Sequence, residues 1–400
     1  MKRLLNYLFL ASLSLSISCN HLSNSAQADY SNVTQIQYDD KAENVIAIDQ
    51  IADRCSFVRL ETGESNLIGR IDQILICDSL IVVVDKHIAK AIFVFNHEGK
   101  YLNRISRLGN GHGEYLLINH VAINDNREVC ILDNIKERLL KFDINGELVA
   151  SQDLPFKSAK FEFLGNDYIL FDVETCSPLD ASVEDDVEKS CYLLTDLDFN
   201  IKYTFGKDYS YKNPSFQRYS EDFLKTDGII YGRLHLGNTI FEFDKDSVKA
   251  RYELSLKDDV LYAPSIEDLS TDGLYNEKRL QKPSFSGCFL FCKDYSCYKM
   301  MFPERARLYT WFFMSNKTGN ILTLSVESDD PVLSKFHNPL ARWSDNTLVQ
   351  DISPTTLLAL KDDILSNSMV ENPEALFDGL TLEDNPVLFF YTFNPDKVSK

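Results

Sequence analysis

A turn between two strand-like runs recurs along this chain at near-regular intervals, and that recurrence limits the fold more than any single residue does. FNHEGKYL begins at residue 95, FDINGELV at 142, LDFNIKYT at 197 and FDKDSVKA at 243, with spacings of 47, 55 and 46 residues. Each opens on an aromatic residue or leucine, passes through Asn or Asp into a turn, and leaves as a strand. A fainter copy, FMSNKTGN, begins at Phe313. The runs between copies, such as IVVVD at 81–85, AIFVF at 91–95 and EVCILD at 128–133, are rich in β-branched and aromatic residues and bounded by Asp, Asn and Gly, a pattern that predicts short strands joined by tight turns. Asp85 and Asp133 each close such a run nine or ten residues ahead of a copy.

A period near 45 residues with about four strands per period is the signature of a β-propeller blade. A single blade cannot bury both of its faces, so blades stack around an axis. The length available accommodates six to eight. A pair of β-sandwiches would account for the strands but not for the regular spacing. A propeller also needs its two ends joined, and the natural pair is a strand within Val45 to Leu60 with the uncharged run VLFFYTF at Val387 to Phe393.

The segment RLGNGHGEY carries glycines at 109, 111 and 113. This is neither GxGxxG nor a GK[ST] phosphate loop. It leads into the strand-like INHVAI and not into a helix whose N-terminus could hold an anion. It reads instead as a corner between the outer strand of one blade and the inner strand of the next, where glycine supplies the positive φ that a sharp bend needs.

The amino terminus, MKRLLNYLFLASLSLSISCN, has Lys2 and Arg3 ahead of an apolar run that ends near a cysteine. It reads as a secretory signal spanning residues 1–19, too short for a membrane span. A signal ending in cysteine resembles the lipobox of bacterial lipoproteins, which implies acylation of Cys19; cleavage elsewhere as an ordinary signal is the other reading. Residues 20–40 are polar and are expected to form a flexible tether, leaving 41–400 as one propeller domain. With 41 basic and 60 acidic residues the net charge is −19, so nucleic acid and anionic headgroups are poor partners.

ISRLGNGHGEYLLINHVAINDNREVCILDNIKERLLKFDINGELV, residues 105–149, resembles the NHL-like repeat of six-bladed β-propeller lipoproteins of Bacteroides and their relatives, and the C-terminal DNPVLFFYTFN resembles their closing strand. The resemblance implies six blades of about four antiparallel strands and an envelope address, with the anchor in the outer membrane and the domain facing the periplasm or cell surface. Asp78-Ser79-Leu80 and Asp246-Ser247-Val248 also resemble the short O-glycosylation sequon of such proteins.

Chemistry-bearing residues are scattered. There is no HExxH, HxH or GxSxG motif in the sequence. Propeller hydrolases and lyases can draw metal ligands from several blades, and His112 and His235 are the candidates for that reading. Cys288, Cys292 and Cys297 are either free thiols or, for Cys292 and Cys297, joined across a hairpin; a zinc site would want a fourth ligand. The stretch from Tyr203 to Ser220 concentrates aromatics among polar residues, and Tyr209, Tyr211, Arg218 and Tyr219 are the candidate ligand-binding residues there. TTLLALKDDILSNSM, 355–369, reads as a short amphipathic helix packed on the last blade. The reading these features favour is a lipid-anchored envelope propeller that binds a glycan, peptide or protein without turnover and without a cofactor. A propeller hydrolase or lyase with an axial metal is the alternative, and a structural subunit of an envelope complex is a third.

Overall fold

The computed structural model describes residues 24–39, 45–47, 50–173, 190–207, 223–234, 237–263, 265, 268, 277–278, 281–303, 309–325 and 339–398. Five strands come before the first complete sheet: β1 (Asn24–Ser25), β2 (Ala28–Asp29), β3 (Thr34–Tyr38), β4 (Val45–Ala47) and β5 (Ala52–Arg59). None pairs with another of the five; each is taken up by a sheet formed later in the chain.

Six antiparallel meanders follow. Blade I is β6 (Gln73–Cys77), β7 (Leu80–Asp85), β8 (Ala91–Asn96) and β9 (Tyr101–Ile105). Blade II is β10 (His120–Ile123), β11 (Val129–Asp133), β12 (Arg138–Phe142) and β13 (Leu148–Asp153). Blade III holds β14 (Ser158–Leu164), β15 (Tyr168–Val173), β16 (Ser190–Asp196) and β17 (Ile201–Lys207). Blade IV holds β18 (Phe223–Thr226), β19 (Ile229–Arg233), β20 (Thr239–Phe243) and β21 (Val248–Leu256). Blade V is β22 (Ser284–Phe291), β23 (Tyr295–Met301), β24 (Tyr309–Ser315) and β25 (Ile321–Ser325). Blade VI has β26 (Ala341–Ser344), β27 (Thr347–Ile352) and β28 (Val387–Phe393), and its fourth strand is β5. Each inner strand contacts the inner strand or second strand of its neighbour, and β26 meets β6, so the ring is closed.

Closure runs through the expected pair. β28 and β5 are antiparallel, with Val387 opposite Arg59 and Tyr391 opposite Cys55. Six of the seven residues of β28 are buried, because one face meets blade V and the other meets blade I. At about 1.5–3 kcal/mol per large apolar side chain removed from water, this strand is a main source of the ring's cohesion.

The repeated turn is the hairpin between the third and fourth strands of a blade, and the five legible copies are those of blades I to V. Gly99 shows why glycine recurs in it. Its φ is +83°, and a Cβ there would sit 2.1 Å from the Arg59 carbonyl oxygen of the preceding blade. The GNGHGE corner lies between β9 and β10, as expected. Gly113 has φ +74° and abuts Leu148, while the Glu114 carboxylate accepts from the Gly111 amide at 2.6 Å.

Asp85 and Asp133 end the second strands of blades I and II and are fully buried. Asp85 accepts from the amides of Gly69, Arg70 and Ile88 at 2.8, 3.0 and 2.8 Å. Asp133 accepts from Leu116, Ile135 and Lys136 at 2.7, 3.0 and 3.1 Å. Each carboxylate therefore fastens the chain entering its blade to the loop leaving the second strand. Burial would raise the Asp85 carboxyl, but the backbone donors prevail and hold it below its ordinary value.

The expected tether at 20–40 is corrected over its described part. β1 pairs in parallel with β17, β2 and β3 with β21, and β4 with β25. The amino end is thus a belt laid along the rims of blades III, IV and V before it becomes the outer strand of blade VI. Polar composition misleads here because a rim strand needs few apolar anchors: within β3 only Ile36 and Tyr38 are buried, at 1% and 0% exposure. The signal segment and Cys19 lie outside the described residues. So does part of the expected domain boundary at 40–41.

Between β27 and β28 the chain forms helices at Pro354–Ala359, Lys361–Ser366 and Pro373–Phe377. The expected helix over 355–369 is broken at Leu360, and its two halves bury Leu357 and Ile364 against the blade V and VI core. Ser353 caps the first, accepting from the Thr356 amide at 3.2 Å.

Candidate functional site

The first hairpin of every blade and the third hairpin of blades I to V open on one face of the ring, and the remaining loops open on the other. On the hairpin face, blades IV, V and VI enclose a pocket of about 390 Å³, within the range typical of small-ligand sites. One wall is aromatic. Phe291, at the end of β22, lies 4.6 Å from the Tyr231 ring and 5.1 Å from the Tyr252 ring, centroid to centroid. Tyr231 comes from β19 and Tyr252 from β21, so the wall spans the seam between blades IV and V.

The rim is built from turns. Arg342 of β26 makes a two-pronged pair with Asp227, which sits at the β18–β19 turn; one arm measures 2.8 Å. Lys293 at the β22–β23 turn bonds Asp345 of the β26–β27 turn at 2.9 Å, and its amide donates to the Asp345 carbonyl at 2.7 Å. Asn316 donates to the carbonyls of Cys292 and Lys293, both at 3.1 Å, and accepts from the Ser296 hydroxyl at 2.7 Å. These cross-links hold the three blades' turns in one arrangement. The cavity is therefore preformed.

Asp227, Cys292 and Tyr231 in its lining are held in their ordinary charge states. The hydrogen bond from Arg342 keeps the Asp227 carboxyl below its usual value. Burial pushes the Cys292 thiol up to about 12 and the Tyr231 hydroxyl to about 12. A thiol so protonated is a poor nucleophile, and a carboxylate paired with guanidinium is a poor general acid.

The residues singled out in the sequence fall elsewhere. Tyr209, Tyr211, Arg218, Tyr219 and His235 lie outside the described residues. His112 is exposed on the GNGHGE corner. Among the described residues no group of three or more His, Cys, Asp or Glu side chains is arranged to hold a metal. The hairpin disulfide is corrected: Cys292 and Cys297 are free thiols. The turn is tighter than the spacing suggested. The Cys292 amide bonds the Tyr295 carbonyl at 2.9 Å, and Cys297 stands opposite Leu290. Cys292 and Cys297 are therefore diagonal neighbours, which sit about 7–8 Å apart, beyond the usual disulfide span.

The pocket was not legible beforehand because its residues come from six strands and four turns. The one available signal was the Asp-Gly at 227–228, a hairpin dipeptide flanked by strand-like residues.

Fold and pocket together define the class: a six-bladed β-propeller with a preformed aromatic cavity on its hairpin face. The chain belongs to the family described as Domain of unknown function (DUF4934), whose model matches residues 33–392. A Bacteroides fragilis protein provisionally described as exported shares the fold, with 17% identity, 90% of this chain and 100% of that chain covered, and a TM-score of 0.75. A member of the DUF4221 family from Bacteroides vulgatus aligns at 10% identity over 86% of this chain and 97% of its own, with a TM-score of 0.44. A search of curated proteins finds no match. No helix among the described residues is long and apolar enough to cross a membrane.

Proposed function

We propose that this protein is an envelope lipoprotein, anchored through Cys19, whose propeller binds a neutral glycan in the pocket between blades IV, V and VI and does not transform it. The observation that carries the reading is the pocket's composition. Its three rings offer flat apolar surface for sugar faces, and its charges occur as two opposed pairs, Arg342 with Asp227 and Lys293 with Asp345. Such a rim carries no net charge. It presents planar donors and acceptors suited to hydroxyl groups and gives no advantage to an ionic ligand. The fold of an exported Bacteroides relative and the likeness of residues 105–149 to lipoprotein propellers support the address.

The test is a screen of neutral oligosaccharides against purified protein, followed by calorimetry on the best binder. Tyr252→Ala and Arg342→Gln are expected to weaken that binder at least tenfold while leaving the fold intact by near-ultraviolet circular dichroism. Binding that is unaffected by both substitutions, or turnover of the bound sugar, would remove the proposal.

A further inference from the structure

The outer edges of the blades are treated unequally. β1 covers blade III, β2 and β3 cover blade IV, and β4 covers blade V. β5, the outer strand of blade VI, is bridged by the chain after the second helix: the Cys55 amide donates to the Met369 carbonyl at 2.8 Å, and the Glu371 amide to the Cys55 carbonyl at 2.9 Å. β9 of blade I is crossed by the 61–65 loop, where Glu61 accepts from the Tyr101 amide at 2.9 Å and Arg104 donates to the Ser65 carbonyl at 3.3 Å. β13 ends the blade II sheet. Among the described residues no hydrogen bond reaches its backbone from outside that blade.

The outer strands also differ at one equivalent position. In blades I to IV a bulge follows the third hairpin and leaves one residue of the fourth strand out of the ladder: Leu102, Val149, Lys202 and Arg251. The two basic residues stand on blades that the belt covers, and each pairs with a carboxylate, Lys202 with Asp246 at 2.9 Å and Arg251 with Glu242 at 3.0 Å. The two apolar ones, on blades I and II, are 50% and 52% exposed. Leu108 and Ile135 are exposed nearby. Asn103, beside Leu102, donates to the Ile144 carbonyl at 3.2 Å, and Arg107, beside Leu108, to the Gly146 carbonyl at 2.9 Å. Lys136, beside Ile135, donates to the Gly109 carbonyl at 2.8 Å. An apolar surface therefore crosses the rim of both blades.

A free edge is completed only by another strand, and edges are commonly guarded against this by charge or proline. β13 has neither between Leu148 and Gln152. The Leu154 amide bonds the Glu137 carbonyl at 2.7 Å, so along the ladder Gln152 and Ala150 turn their backbone groups to β12, and Ser151 and Asp153 turn theirs outward. A second β13 running antiparallel, with the two Ser151 residues opposite each other, satisfies these groups. It sets Asp153 against the copy's Val149, so no like charges meet. Charge selects the same sector. Residues 73–153 hold 11 acidic and 9 basic residues, a net of −2 in a chain of −19, so two copies repel each other least here.

We infer that blades I and II form the contact of a two-fold dimer, in which β13 pairs with β13 of a second copy and Leu102, Leu108 and Val149 are covered beside it. The cavity between blades IV, V and VI lies across the ring from this contact, so the dimer leaves both cavities open.

Sedimentation equilibrium of the purified wild-type protein, from micromolar to near-millimolar concentration, is expected to show a monomer–dimer equilibrium. Ser151→Pro removes an outward N–H without touching the bonds to β12, and Val149→Asp sets a second carboxylate against Asp153. Each is expected to raise the dissociation constant at least tenfold, whereas Lys202→Ala leaves it unchanged. Ser151→Cys reports the register. A hydrogen-bonded antiparallel pair brings its Cα atoms to about 5.5 Å, within disulfide reach, so mild oxidation should yield a cross-linked dimer that reductant reverses. A monomer mass for the wild-type protein at every concentration overturns the inference, and that readout needs no variant to fold. So does a dimer that both Ser151→Pro and Val149→Asp leave intact, since its contact would lie elsewhere.

Discussion

Phe57 and Phe389 face each other across the β5–β28 ladder with ring centroids 6.2 Å apart, although they lie near opposite ends of the chain. Phe389 is fully buried in the core shared by blades V and VI. Phe389→Ala should cost about 3–5 kcal/mol, as expected for a large aromatic lost from a packed core. Urea denaturation would measure it. Removing residues 386–400 should abolish the cooperative transition altogether, and a truncated protein melting near the full-length temperature would show that the ring is held by other means.

The belt gives a second prediction, opposite to what a flexible tether would give. Ile36→Ala should destabilise by about 2–4 kcal/mol, because Ile36 is buried among Leu254, Leu256 and their neighbours between blades IV and V. Deleting residues 24–38 should lower the melting temperature clearly. An unchanged melt would mean the parallel rim pairing contributes nothing.

Cys292 and Cys297 are buried and unbridged. Alkylation without reductant should therefore leave both unlabelled in native protein and label both after denaturation. Protection that survives denaturation and yields only to reductant would restore the disulfide.

Glu162 supplies a pH dependence. Burial raises its carboxyl from 4.5 to about 7 in the folded protein. Between those values the folded state binds more protons than the unfolded state, so stability falls as pH rises through this window and stays lower above it. Glu162→Gln removes that loss. The variant should exceed wild type by on the order of 2 kcal/mol at pH 8, and the difference should vanish near pH 4.5. His120 acts in the other direction, since its folded pKa is depressed, but it is common to both proteins and cancels in the comparison. Equal stabilities at pH 8 would exclude the carboxyl as a strained group.

The blades were legible because their third hairpins are local: Phe95 and Tyr101, or Phe142 and Leu148, pair across a turn of a few residues. Blade VI left no copy of the repeat because its third strand, β28, pairs with β5 and has no hairpin of its own. Hydrophobic pattern still pointed to that pairing, since VLFFYTF has no polar face to show to water. β1 to β3 were missed because their parallel pairing with β17 and β21 is made by backbone bonds, and composition does not report backbone bonds. The pocket escaped for a related reason. Tyr231, Tyr252, Phe291 and Arg342 become neighbours only when three blades are seated side by side.

The belt also sets an order of events in time. Val45, Ile36 and Asn24 are made early, yet the strands they pair with at Thr323, Leu254 and Tyr203 are made far later, and Arg59 must wait for Val387. Such long sequence separations make folding slow, because loop closure is completed before the contacts repay it. A nascent chain of this kind cannot lock while its tail is still missing. It stays threadable until the last strand arrives, and only then does the first-made segment cinch the finished wheel from outside.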